Sequence, residues 1–246
     1  MSPTQVRCIF CDKKGDRSVE DIIPKWLARV LGGIPPFYGS DDKKMVDGQV
    51  VSEGQRRKWG SLAALKLPQV CQSCNNGWMS RLEGAAQPLL IPMIHDNACV
   101  LDAAACRTIA AWAQLKLLSY DARISPQALP PERAHDFYGS QPSLGDAVIL
   151  SRFDGFHGVG FGHARWIIDA GELAGGPSHR LMKVVLAFGN LGLEIVTDLD
   201  GVGRSPDFAP PETDESRRCV WPAGGNVSWP PPMSMSADIF DAILRP

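Results

Sequence analysis

The strongest periodic signal in the chain runs from Leu101 to Ser119, where Ile109, Trp112, Ala113, Lys116 and Leu117 recur at three-to-four spacing, the mark of a helix with one buried face. Asp102 stands where a carboxylate can cap the start of that helix, and we read the Trp112 stripe as core. A second helix is predicted from Pro24 through Leu31, since proline suits a first turn, and Gly32-Gly33 followed by Pro35-Pro36 ends it. A third begins at Asn75, with Trp78, Met79, Leu82 and Ala86 at helical spacing and Pro88 expected to limit it. Beyond Gly145 the pattern changes to short apolar runs broken by glycine, AVILSRF, HGVGFGHARWIID, LMKVVLAF and LEIVTDL, with a turn expected at Asn190-Leu191-Gly192. These predict antiparallel strands.

The polar stretches between these elements read differently. Phe37 to Leu67 holds Asp47-Gly48 flanked by Met45, Val46, Val50 and Val51, the signature of a hairpin turn. The same stretch carries Lys43, Lys44, Arg56, Arg57 and Lys58, which suit either a solvated loop or a loop that grips phosphate. Ser125 to Pro142 reads as a linker or long loop. The tail, with Trp221, Trp229 and three consecutive prolines, is expected to pack irregularly before a short helix at Ser236 to Leu244. No internal repeat is present. The predicted class is α+β: an N-terminal module over residues 1–98, a central helix over 99–124, and a small antiparallel β unit with a proline-rich tail over 143–246.

Composition narrows the function classes. The chain has 246 residues, of which 44% are hydrophobic, ample for a core. Apolar runs such as LLIPMI fall far short of the roughly 20 residues that span a bilayer, and no signal-peptide pattern opens the chain. We therefore expect no membrane partner and a cytoplasmic location. Net charge is −2 overall, but residues 1–95 carry +4 and the remainder −6, so the N-terminal half is the one suited to phosphate.

The chemistry starts with cysteine. Of seven cysteines, Cys8 and Cys11 form one C-x2-C pair, and Cys71 and Cys74 form another after 59 intervening residues. Each pair offers two thiolates on one short knuckle, and two knuckles complete the tetrahedral shell of a structural Zn²⁺. A redox pair fits less well, because there are two pairs and a helix follows the second. Cys99, Cys106 and Cys219 read as buried small apolar residues. A helix starting directly after a knuckle directs its free N–H groups towards the site, where an anion would be favoured. His157 and His163, six apart, form a weaker metal pair, and His95 and His179 read as ordinary histidines.

CIFC, then S-V-E-D-I-I-P-K-W-L, then VCQSCNNGWMSRLE resemble the HNH endonuclease-like family of the His-Me finger (ββα-metal) group. The resemblance covers residues 8–31 and 70–95 and extends more loosely into the Trp112 helix. It implies a zinc-stapled ββα-metal module with Cys8, Cys11, Cys71 and Cys74 as zinc ligands. Glu20 matches the acid beside a catalytic divalent metal, Mg²⁺ or Mn²⁺, and Asn75 the helix residue, with Asn76 a second candidate. Where the family reads E-H-I-I-P, this chain reads Glu20-Asp21-Ile22-Ile23-Pro24.

That departure removes the general-base histidine. Imidazole, with an ordinary pKa near 6.5, is matched to activating water at neutral pH, whereas an aspartate near 3.9 is a weaker base. Three outcomes stay open: Asp21 is a poorer base, or it joins Glu20 as a metal ligand, or hydrolysis has been lost. Adjacent acids on a regular strand face opposite ways, which works against the second. The resemblance implies metal-dependent phosphodiester hydrolysis by an HNH-type endonuclease acting on nucleic acid, DNA favoured. The alternative is a diverged scaffold that binds nucleic acid or protein through a zinc-dependent module, or that acts on a small molecule.

Overall fold

The structure is a computed structural model. It describes residues 5–33, 37–39, 43–46, 49–52, 57–59, 65–123, 127, 129–143, 145–155, 158–168, 179–199, 210, 214–222 and 225–236, with backbone alone for 37–39, 43–46, 49–52, 57–59, 161–168 and 179–180. The N-terminal elements are β1 (Gln5–Arg7), β2 (Lys14–Asp21), α1 (Lys25–Val30), β3 (Phe37–Gly39), β4 (Lys43–Val46), β5 (Gln49–Ser52), β6 (Arg57–Trp59) and β7 (Lys66–Cys71). A continuous helical stretch follows: α2 (Gln72–Cys74), a π-helical turn (Asn75–Met79) and α3 (Ser80–Ile94). Then come β8 (Cys99–Leu101), α4 (Ala103–Asp121), α5 (Glu132–Gly139), β9 (Asp146–Asp154), β10 (Val159–Ile168), β11 (His179–Phe188), β12 (Leu191–Asp198), β13 (Arg217–Trp221), β14 (Val227–Trp229) and β15 (Met235–Ser236). The class is mixed α+β, as expected.

Helix α4 is the centre of the molecule. It packs against α3 on one side and against β8, β9, β12 and β13 on others, so residues all round it are buried, as for a helix enclosed by its own domain. Trp112 is fully buried and meets the Phe188 ring 6.0 Å away in a T-shaped contact. Asp102 caps the helix by accepting a 2.8 Å hydrogen bond from the Ala105 N–H. The helix begins two residues later than the periodicity predicts, because Cys99 to Leu101 form a strand paired with β14.

Besides the β8–β14 pair, the described strands form two sheets. β2 pairs antiparallel with β1 and β7, and a larger sheet runs in the order β13-β9-β12-β11-β10-β3-β6. β9, β11 and β12 are the antiparallel strands the apolar runs predict, with β11 and β12 joined through Gly189 and Asn190. Gly189 has φ +57, and a Cβ there would meet the Ile94 carbonyl at 2.9 Å, so glycine is required. The hairpin flanking residues 47–48 pairs Val46 with Gln49, and both β3 and β4 join β10 in parallel. The turn residues themselves, and the helix expected at Ser236 to Leu244 beyond its first residue, lie outside the described residues.

Three expectations need correction. Pro88 does not end its helix: α3 runs through Pro88 and Pro92 to Ile94. Pro88 is exposed, so water can serve the carbonyl it leaves unbonded, while Ala86, Leu90, Met93 and Ile94 bury the opposite face. The 125–142 stretch contains α5, which starts after Pro130-Pro131 and buries Ala134 and Phe137. The tail is more regular than expected, contributing β13 to the large sheet and β14 to the pair with β8. Of the cysteines outside the knuckles, Cys106 is buried, while Cys99 and Cys219 are only partly so. Among the described residues no helix is long and apolar enough to cross a membrane.

Candidate metal centre and adjoining cleft

The first knuckle is the turn between β1 and β2. The Cys8 N–H donates to the Lys13 carbonyl at 3.1 Å and the Asp12 N–H to the Cys8 carbonyl at 2.9 Å, with Asp12 in the left-handed region at φ +57. Arg7 reaches back to Asp12 with two 2.5 Å contacts and braces the turn. The Ile9 N–H donates to the Gln69 carbonyl at 3.2 Å, which sets this knuckle beside the end of β7. The second knuckle is the β7–α2 junction itself. Gly15 lets the strands close here, because a Cβ would stand 3.0 Å from that of Cys71.

Cys8, Cys11, Cys71 and Cys74 are all buried, with their sulfurs within 4.8 Å of one another. The Cys11 and Cys71 sulfurs are 3.7 Å apart, against the ~3.8 Å edge of a tetrahedron with Zn–S bonds of about 2.3 Å. Burial raises the Cys11 and Cys74 thiols. Burial also acts to raise Cys71, but hydrogen bonds from the Ser73 hydroxyl and the Cys74 backbone outweigh it and bring that thiol to about 7. Burial makes the Cys11 and Cys74 thiolates costly to form, and a bound metal removes that cost. The cluster can hold a metal ion such as zinc.

Around the centre, Trp78 packs edge-on to Phe10 at 5.4 Å and against Tyr138 at 5.7 Å, and His135 Nδ1 lies 2.9 Å from the Phe10 carbonyl. These contacts bring α5 against the first knuckle.

Beside the centre opens a cleft of about 420 Å³ between the end of β2 and the helical stretch after β7, lined among others by Glu20, Asp21, Lys25, Arg29, Asn75, Asn76, Ser80, Glu83 and Gln87. The four non-cysteine residues that sequence singles out, Glu20, Asp21, Asn75 and Asn76, are therefore brought together. Their side chains do not converge. A register irregularity between Ser18 and Glu20 shifts β2 against β7, after which Glu20 and Asp21 take opposite faces. Glu20 turns inward and is 6% exposed. Asp21 turns outward to the ammonium groups of Lys25 at 3.2 Å and Lys66 at 3.9 Å. Asn75 donates to the Ser18 hydroxyl at 2.7 Å and the Val19 carbonyl at 3.3 Å. It stands where the helix is wound as a π turn, with Gly77 at non-helical angles, a local distortion common at functional sites.

Two residues of this cluster were not singled out from sequence. Lys116, on α4, is fully buried; its Nζ donates to Glu20 Oε1 at 2.7 Å, to Glu83 Oε2 at 3.3 Å and to the Asp21 carbonyl at 3.3 Å. Its sequence signal was a charged residue inside the apolar phase of the strongest helix. Glu83 had no such signal.

The donor set does not fit a catalytic divalent metal. Glu20 is already neutralised by an internal ammonium, Asp21 pairs with Lys25 and Lys66, and Asn75 is turned towards β2 by the hydrogen bonds that its amide nitrogen donates. Among the described residues, the four cysteines are the group of three or more His, Cys, Asp or Glu whose ligand atoms converge. His157 lies outside the described residues, and for His163 the backbone alone is described, within β10. No family model, curated protein or solved structure matches the chain.

Proposed function

We propose that this chain is an HNH-endonuclease-like module, stapled by a structural Zn²⁺ on Cys8, Cys11, Cys71 and Cys74, whose cleft engages the phosphate backbone of a nucleic acid, DNA favoured. The observation that carries the reading is the charge arrangement of the cleft. Its three carboxylates, Glu20, Asp21 and Glu83, are matched by Lys116, Lys25 and Lys66, and Arg29 on α1 adds a further cation. The acids are thereby neutralised from within. Phosphate oxygens take donors of the kind that line the mouth: the Arg29 guanidinium and the amides of Asn76 and Gln87, with the exposed Lys25 ammonium shared with Asp21.

Fluorescence anisotropy with labelled duplex and single-stranded DNA between 50 and 200 mM salt, the range that separates ionic from other contacts, tests this. Affinity should fall steadily with salt, and Lys25→Glu with Arg29→Glu should weaken it at least about tenfold, as expected for lost phosphate contacts. Affinity indifferent to both would reject the reading.

A second reading is hydrolysis of the phosphodiester bond, favoured by one observation: Asp21 lines the cleft at the place where the HNH motif has its general base. In this reading Asp21 accepts the proton of an attacking water while Lys25 and Lys66 hold its carboxylate in place. A plasmid-nicking comparison of wild type, Asp21→Ala and Asp21→His at equal zinc content tests it. Cleavage lost in Asp21→Ala supports hydrolysis; cleavage seen only in Asp21→His supports binding alone.

A further inference from the structure

Lys116 Nζ has the surroundings of a bound cation. Its three oxygen partners come from two elements: the Glu20 side chain and the Asp21 carbonyl at the end of β2, and the Glu83 side chain on α3. An ammonium group has three N–H donors, and three acceptors meet it at 2.7–3.3 Å. The fourth side is closed by its own chain, which rises from α4 with the ammonium 5.8 Å from the centre of the Trp112 ring. No water needs to complete this shell.

A divalent ion that took Glu20 and Glu83 as ligands would have to displace this ammonium or sit against it. Displacement would leave a buried positive charge without partners, and coexistence would set like charges in contact away from water. Neither is favourable while Lys116 is present. We propose that Lys116 is the resident cation of the cleft, filling the place a divalent ion would otherwise take, so that the native chain binds a metal at its four cysteines and none at Glu20 and Glu83. The inference deepens the reading of the cleft as a phosphate-binding site: nucleic acid would bind there without added Mg²⁺ or Mn²⁺.

The test uses the zinc-loaded full chain with Mn²⁺ alone as probe, followed by electron paramagnetic resonance of free and bound Mn²⁺. Wild type should bind no Mn²⁺ up to about 1 mM, a range in which weak carboxylate sites fill. Lys116→Met, which keeps an unbranched apolar stem one atom shorter and removes the ammonium, should gain a single Mn²⁺ site, and adding Glu83→Gln should abolish it. A Mn²⁺ bound by wild type and lost in Glu20→Gln would overturn the proposal. So would a Lys116→Met protein that keeps its zinc and gains no Mn²⁺ site. Should Lys116→Met fail to hold zinc, the wild-type and Glu20→Gln titrations decide the matter. No nucleic acid is present, so failure here and failure of the DNA-binding reading are separate results.

Discussion

The four-cysteine cluster and the Glu20–Lys116–Glu83 cluster tie the same parts of the chain together, β2 and its preceding turn to the helical stretch after β7, but by opposite means. The cysteines bring four sulfurs within 4.8 Å of one another, and burial raises two of their thiols. The carboxylates have their cation built in, supplied by a helix at the centre of the fold. Convergence of ligand types is therefore not enough to define a metal site. What decides is whether the protein has already supplied the positive charge.

Breaking the cysteine cross-link should have the largest effect. Removing zinc by chelation, or Cys71→Ser, is expected to cost on the order of 10 kcal/mol of apparent stability, read as loss of cooperative thermal unfolding together with loss of zinc. A chelated chain with unchanged unfolding would show that the Lys116 cluster alone holds this region. Next comes Lys116→Ala, which strands Glu20 in the interior and should cost about 3–5 kcal/mol in urea denaturation. Pairing Lys116→Ala with Glu20→Gln should recover much of that loss, and a cycle without coupling would mean that the two are not partners.

Smaller effects sharpen the contrast. Asp102→Ala removes the cap of the helix that carries Lys116 and should cost about 1 kcal/mol while leaving zinc content unchanged. Asn75→Ala removes the bond to the Ser18 hydroxyl and should cost about 0.5–1 kcal/mol, read as a small shift in the urea midpoint.

Much of this was legible in the sequence, and the rest was hidden for physical reasons. The C-x2-C spacing foretold the sulfur cluster because a knuckle is a local structure. The Trp112 periodicity foretold α4, and Asp102 its cap. The opposite facing of Glu20 and Asp21 followed from the two-residue repeat of a strand. Lys116 was visible only as a residue in phase with the core, and its partners lie 96 and 33 residues away in the chain, which periodicity does not reveal. The course of α3 through Pro88 was likewise decided by tertiary burial rather than by local preference. The parallel pairing of β3 and β4 with β10 joins segments more than a hundred residues apart and carries no local sequence mark.

The most direct test is a gel in which zinc-loaded protein meets supercoiled plasmid without added divalent ion, with Mg²⁺ and with Mn²⁺. The account predicts retardation of the plasmid in all three lanes, with no nicking that depends on the added ion. Nicking that requires Mn²⁺ and disappears in Glu20→Gln would contradict it, since Glu20 would then be holding a metal and Lys116 would not be the cation of the cleft.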